Sequence, residues 1–447
     1  MTPIRYPDNL YTDVRIETVF STKILLENSE LKQNKTKTDT GAMIRIFDGK
    51  RWYYNATTDV DRIQESIDNL AAMASADTGV PAHPVVRRFE VNQGEYLRYA
   101  QNCVGDIVNA EKMLLLKSYT QILESEPAVQ KSRLYYLDNY TVKHIMSSKG
   151  TDVRFDRQSC SISCRYTLQG REAPFDSGDD VYETDFAKLK DRHDKFRATL
   201  QKDLDFCKNA VPVKPGLYTC VLSPVVTGVF AHESFGHKSE ADFMIGDETM
   251  KREWAIGKRV GAPILNIIDT GLVEGAGFVP FDDEGHKARE NYIIKDGILT
   301  GRLHSSYTAA LLEEEPTGNA RATTFEFEPI VRMTTTYIGA GQDTLASLLA
   351  PIREGVYIDD LNHGSGMTTF TIAPKRAYMI RDGQIAEPVM ISVVTGNVMK
   401  TLDEIDGATD EVRLFSFALG GCGKMEQFPL PVGFGGPHIR INGIAVQ

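Results

Sequence analysis

Near the start of the chain Val14, Ile16, Thr18 and Phe20 alternate with Asp13, Arg15, Glu17 and Val19. A period of two belongs to a half-buried strand, so the chain is expected to open in a sheet. Ile44 to Phe47 and Trp52 to Tyr54 predict a pairing across Asp48-Gly49-Lys50-Arg51, where Gly49 can supply the positive φ of a turn. The period then changes. Val60, Ile63, Ile67, Leu70 and Met73 recur at helical steps, with Thr58 or Asp59 placed as N-cap, and predict an amphipathic helix over one face of the sheet. Further strands are expected at Arg133 to Asp138, Thr141 to Met146 and Asp152 to Tyr166, with Ser147 to Gly150 as a polar turn.

From Phe186 through Leu189, His193, Phe196, Leu200 and Leu204 one apolar stripe predicts a long helix, ended by Pro212, Pro215 and Gly216. A domain boundary is placed there. The second half carries hairpin signals at Asp296-Gly297, Asp382-Gly383 and Asn442-Gly443, each between apolar runs, and should be rich in antiparallel strand. The expected fold class is α+β in two domains, a mixed domain over residues 1–210 and a strand-rich one over 211–447 that carries the site.

Composition narrows the function classes. Hydrophobic residues make up 42% and charged residues 25%, the balance of a folded protein. No apolar run approaches the roughly 18 residues of a membrane span, and Met1 to Val14 lacks a leader's apolar core. Six cysteines without a CxxC pair read as reduced thiols, so a cytoplasmic protein with no membrane contact is expected. A net charge of −11 with no Lys/Arg cluster excludes direct nucleic-acid binding.

Chemistry concentrates in one stretch. Leu217 to Leu222 reads as a buried strand, followed by Ser223 and Pro224 as N-cap and first residue of a helix, VVTGVFAHESFGHKSEADF. There His232 and His237 flank Glu233, five residues apart rather than the four of the familiar zinc signature. In a regular helix that spacing splays the imidazoles by about 140°. A π-type turn eased by Gly236, or a helix ending at Phe235 or Gly236, would bring them together. A catalytic metal wants a third protein ligand, and Glu240, Asp242, His286, Cys422 and His438 all qualify by residue type.

The stretch HESFGHKSEADF, together with FDDEGHKAR, KDGILTGRLHSSYTA, PTGNAR and GGCGKMEQFPLPVGFGGPHIRING, resembles the TldD/PmbA family of metallopeptidases, some described as modulators of DNA gyrase. The likeness covers most of residues 215–447. It implies that His232, His237 and Cys422, the last in the CGK motif, hold zinc. It also implies that Glu233 serves as general base on a zinc-activated water, and that peptide bonds in unfolded or extended peptides are the substrate. Because the metal motif is intact, the chain resembles the active TldD-like members, which pair as homodimers or with a metal-free relative. Rival readings are a silent regulator of a protein such as DNA gyrase, a non-peptidase metal hydrolase, and a cysteine hydrolase built on Cys422. Glu240 and Asp242 are either acceptors for the imidazole N–H groups or solvated carboxylates. Phe281 to Gly285 reads as a plain turn, His193 as a packed side chain, and the remaining cysteines as small buried ones.

Overall fold

The computed structural model describes residues 3–170 and 173–447. Met1 and Thr2, which begin the segment read above for a leader, lie outside them. The N-terminal half is one seven-stranded sheet of β1 (Tyr11–Glu27), β2 (Glu30–Phe47), β3 (Trp52–Thr57), β4 (Gln93–Tyr96), β5 (Val129–Ser147), β6 (Asp152–Leu168) and β7 (Phe175–Glu183), in the order β3-β2-β1-β5-β6. β4 runs parallel and β7 antiparallel along the outer edge of β6. The expected break near Asn139 does not occur. Asn139 and Tyr140 stay in register with Ser21 and Phe20 on one side and Ser159 and Gln158 on the other, so β5 is a single strand held by two ladders.

Alternation gives this sheet two different faces. Val14, Ile16, Ile44 and Ile46 pack under the helix Ile63–Met73, and Tyr136, Ile162 and Cys164 pack with Phe196 and Leu200 of the helix His193–Asn209. The opposite face carries Arg15, Glu17, Lys143, Arg157 and Ser159 and turns toward the C-terminal half. Capping departs from expectation. A 3-10 turn, Val60–Arg62, precedes the first helix, and Asp59 makes no capping bond; Thr57 rather than Thr58 accepts the Asp59 N–H, at 3.0 Å.

The long helix expected from Phe186 is also divided. Phe186–Leu189 is a 3-10 turn, Asp191 takes φ 59°, and the α-helix starts at His193. The hydroxyl of Tyr119 sits in this break, donating to the Leu189 carbonyl and accepting the Arg192 N–H. His193 stacks on Tyr119 with ring centroids 4.1 Å apart, the packed role expected of it.

The C-terminal half combines an eight-stranded and a six-stranded sheet. Gly216–Leu222 lies inside the larger one, parallel to Glu354–Gly366 and antiparallel to Ile439–Val446. Asp296-Gly297 and Asp382-Gly383 turn hairpins with both residues at positive φ. Asn442-Gly443 does not. It lies within one strand as a bulge, with an extra residue between Ile441 and Ile444 and Gly443 at φ 67°. Gly433–Gly436 is a buried strand parallel to Thr335–Ile338. Among the described residues no helix is long and apolar enough to cross a membrane.

Phe281 to Gly285 is a turn, with Gly285 at φ 83°, but its acids do more than turn the chain. Asp283 meets Lys143 at 2.6 Å and Arg15 at 3.8 Å, while Glu284 meets Arg45 at 3.2 Å. These buried ion pairs join the C-terminal half to the polar face of the N-terminal sheet.

Candidate functional site

The helix Pro224–Ala231 leaves the end of Gly216–Leu222 and is pressed against Gly433–Gly436. A Cβ on Gly228 would lie 2.4 Å from the Gly435 nitrogen, so Gly228 permits a backbone approach that a side chain would block. Ser223 stands at the N-cap but makes no capping bond; its hydroxyl donates to the Asp359 carbonyl at 2.7 Å and ties the helix start to the neighbouring strand.

Of the two routes left open for the histidines, the chain takes the π turn. His232–Gly236 is one π-helical turn, followed by a 3-10 turn at His237–Ser239, and the extended Glu240 ends the helix short of Phe243. The imidazole centroids come within 5.1 Å. Gly236 has an ordinary helical φ of −53°, so conformational ease is not its contribution. A Cβ there would sit 2.0 Å from the Met333 sulfur, and it is space that excludes a side chain.

Cys422 arrives on the short strand Cys422–Lys424. Its Sγ is 3.5 Å from His237 Nε2, and one donor atom from each of His232, His237 and Cys422 falls within 4.8 Å of the others. Burial pushes the Cys422 thiol up, but His232 and His237 outweigh it and bring the group down to about 5. Burial likewise disfavours charge on His237, yet Cys422 and Glu240 raise it to about 10. Both shifts follow from donors held close together and largely buried. The Nδ1 of His232 is buried with no hydrogen-bond partner among the described residues.

The support around the cluster closes on itself. Glu240, fully buried, faces His237 Nδ1 at 3.2 Å, the place of an acceptor that orients the ring. Lys424, two residues after Cys422, meets Glu240 at 3.1 Å and both Asp242 oxygens at 2.7 Å. Arg332 donates to the Cys422 carbonyl at 2.8 Å and fixes its backbone. One strand therefore brings both the thiol and the cation that steadies Glu240. The other residues weighed as third ligand lie elsewhere or are engaged: Asp242 with Lys424, His286 bonded to Ser306 near the domain junction, and His438 stacked on Tyr357.

Glu233 lines a cavity of about 710 Å³ together with His232, His237 and Cys422. Leu137, Asn139, Ser159, Ser161 and Tyr182 of the N-terminal sheet form its other wall, so the cavity is a cleft between the halves. Two residues without a role in the sequence reading belong here. His363 lines the same cleft from Glu354–Gly366, and Lys424 anchors the supporting network. The CGK motif pointed to Lys424; nothing in the sequence pointed to His363.

A two-lobed α+β chain with a His, Glu and His turn and a cysteine gathered over an inter-lobe cleft has the architecture of a metallopeptidase. A family model described as the PmbA/TldA metallopeptidase C-terminal domain matches residues 215–447, and the models for domain 1 and the central domain of that family match residues 12–76 and 104–197. The chain belongs to the PmbA/TldA metallopeptidase family, the TldD/PmbA family named above. It is 46% identical to a metalloprotease of Synechocystis over 233 residues, which is 51% of this chain and 50% of that one. It is 28% identical to a zinc metalloprotease TldD homolog of Saccharolobus solfataricus over 98% of this chain and 96% of that one. A crystal structure from Thermotoga maritima, described as a candidate modulator of a DNA gyrase, shares the fold with a TM-score of 0.78 at 16% identity, over 98% of this chain and 96% of that one.

Proposed function

We propose that this chain is a zinc-dependent peptidase acting on unfolded or extended peptides, with His232, His237 and Cys422 as metal ligands and Glu233 as general base. The convergence of the three donor atoms within 4.8 Å beside Glu233, in a cleft between the halves, carries the reading. Two imidazoles and a thiolate suit zinc, and the partnerless His232 nitrogen fits a site shaped for an added ligand. When bound, the metal supplies Lewis acidity that polarises the scissile carbonyl and makes water a better nucleophile.

The chain's own residues do the rest. Glu233 takes the proton from the attacking water and returns it to the departing amine. Glu240, held by Lys424, keeps His237 oriented. The cleft walls bind the substrate and exclude bulk water. The same reading places the protein in the cytoplasm and pairs it with a second copy or a metal-free relative. Phe417, Met425 and Phe428, exposed on the segment around Cys422, supply apolar surface for such a contact, which sedimentation equilibrium checks.

Elemental analysis of protein purified without chelator should find about one zinc per chain, lost in Cys422→Ser. Glu233→Gln should keep the metal and lose about 10²-fold or more in peptide cleavage. Full turnover by Glu233→Gln would remove Glu233 from its role, and a metal-free wild-type protein that cuts no peptide would favour the silent-regulator reading.

A further inference from the structure

The cleft does not end at the metal cluster. A second cavity of about 720 Å³ adjoins it, and Asn139, Ser159, Tyr182 and Pro431 line both. Any extended chain lying across the cluster has a continuous path into this second space. Arg157 stands in it.

Alternation along β6 puts Arg157 on the face turned to the C-terminal half, half-buried and in register with the uncharged Thr141. Among the described residues its guanidinium has no hydrogen-bond or ion-pair partner. The carboxylates lining the same cavity are engaged elsewhere: Asp39 by Lys37, Glu17 facing Lys143 at 3.9 Å, and Glu326 by the Thr324 hydroxyl at 3.4 Å. The buried Asp283 is likewise held by Lys143 and Arg15.

Two further guanidiniums, Arg321 and Arg332, have no ion-pair partner among the described residues. Among the described residues Arg321 donates to the carbonyls of Met333 and Pro431 alone, and Arg332 to those of Gln427 and Cys422 alone. Arg321 is lowered to about 9, first by burial and then by Arg157 and Arg332, which together outweigh the opposing pull of Asp283 and Asp269. A half-buried guanidinium in such a field is a standing demand for an anion, and its planar fork matches a carboxylate.

We infer that Arg157 anchors a carboxylate of the bound peptide, in a subsite a few residues along the cleft from the cluster. Ser159 and Ser161 line the cluster's cavity and lie two and four residues from Arg157 on β6, a span of about 7 to 13 Å at strand geometry, or about two to four extended residues. The carboxylate is either the peptide's free C-terminus or an Asp/Glu side chain. Position along the substrate rests on the peptidase reading; binding does not require turnover.

The test uses three labelled hexapeptides of one otherwise uncharged sequence: a free C-terminal acid, the C-terminal amide, and the amide with Glu as last residue. Their binding to the full-length chain carrying Glu233→Gln is read by fluorescence anisotropy. The free acid should bind about 10- to 100-fold tighter than the amide, the range of a charge-assisted pair, and Arg157→Gln should abolish that difference while leaving amide binding unchanged. Arg157→Lys, which keeps the charge without the fork, should retain part of it. Tight binding by the Glu-bearing amide identifies a side chain as the source; binding no better than the plain amide identifies the C-terminus. Equal binding of all three peptides overturns the proposal, as does an equal weakening of all three by Arg157→Gln in a variant whose thermal unfolding matches its parent. Absence of cleavage by the zinc-loaded chain, with the acid preference intact, would count against the peptidase reading alone.

Discussion

Two buried polar clusters, each assembled from distant parts of the chain, illustrate opposite uses of the same expense. At the domain junction Asp283 and Glu284 meet Lys143, Arg15 and Arg45, and Asp13 completes the set by accepting from Arg45 at 2.7 Å. Each acid there faces a cation of the protein. At the cluster His232, His237 and Cys422 converge as potential electron-pair donors, and one ring nitrogen lacks a partner among the described residues. A set of charges that closes on itself fixes the two halves. A set that does not close has the form of a binding site.

The comparison breaks most readily on stability. Asp283→Asn leaves Lys143 with only the distant Glu17 and strips Arg15 of its acid, so metal-free protein should lose about 3 kcal/mol. At about pH 5, where the Cys422 thiolate no longer adds to stability and Asp283 is still ionised, Cys422→Ser in the same metal-free state should cost about 1 kcal/mol or less, because Ser can still hydrogen-bond His237. Urea unfolding of both variants decides it. Equal losses would mean that the cluster, like the junction, serves the fold.

A smaller effect sharpens the same contrast. Glu240 belongs to the cluster's support, its pKa lowered despite burial because His237 and Lys424 favour its charge. Glu240→Gln should reduce zinc affinity by about 10- to 100-fold, the usual cost of losing a carboxylate behind a metal-bound histidine. Competition with a chromophoric chelator measures it. Unchanged affinity would show that Glu240 serves only its ion pair with Lys424.

Legibility in the sequence divided along the same line. The alternation at Val14 to Phe20 and the five-residue histidine spacing were local signals, and local geometry answered both, the second with a π turn. Cys422 was a different case, since residue type alone left five candidates and only the likeness to a family distinguished it. The junction was missed because Phe281 to Gly285 reads as a turn in isolation. Its acids acquire meaning only from Arg15, Arg45 and Lys143 on strands far earlier in the chain. The divided helix near Asp191 escaped for a related reason, since the Tyr119 hydroxyl that occupies the break comes from elsewhere. Asn442-Gly443 misled because the same dipeptide serves a hairpin or a bulge, and pairing on both sides of Ile439–Val446 decides which.

The finest distinction between the two clusters is the pH at which each changes charge. Burial alone would push Asp283 up, but Lys143 and Arg15 hold it well below the usual carboxylate range. A carboxyl depressed in the folded state contributes stability that is fully present above its unfolded value, about 4, and is lost as pH falls toward the folded one. The stability difference between wild type and Asp283→Asn should therefore be constant from neutral pH to about 4 and then shrink by up to about 1.4 kcal/mol per pH unit. Cys422, brought down to about 5, contributes stability that is lost as pH falls from neutral to about 5, and below about 4 it is a neutral thiol in both folded and unfolded chains. Cys422→Ser should accordingly flatten the profile between neutral pH and about 5 and leave the limb below about 4 unchanged. Unfolding free energies of the three metal-free proteins between neutral pH and the acid limb test this. An acid limb unaltered by Asp283→Asn, or one reshaped by Cys422→Ser, would mean that the two clusters are not electrostatically separate and that the cleft and the junction respond to protons as one unit.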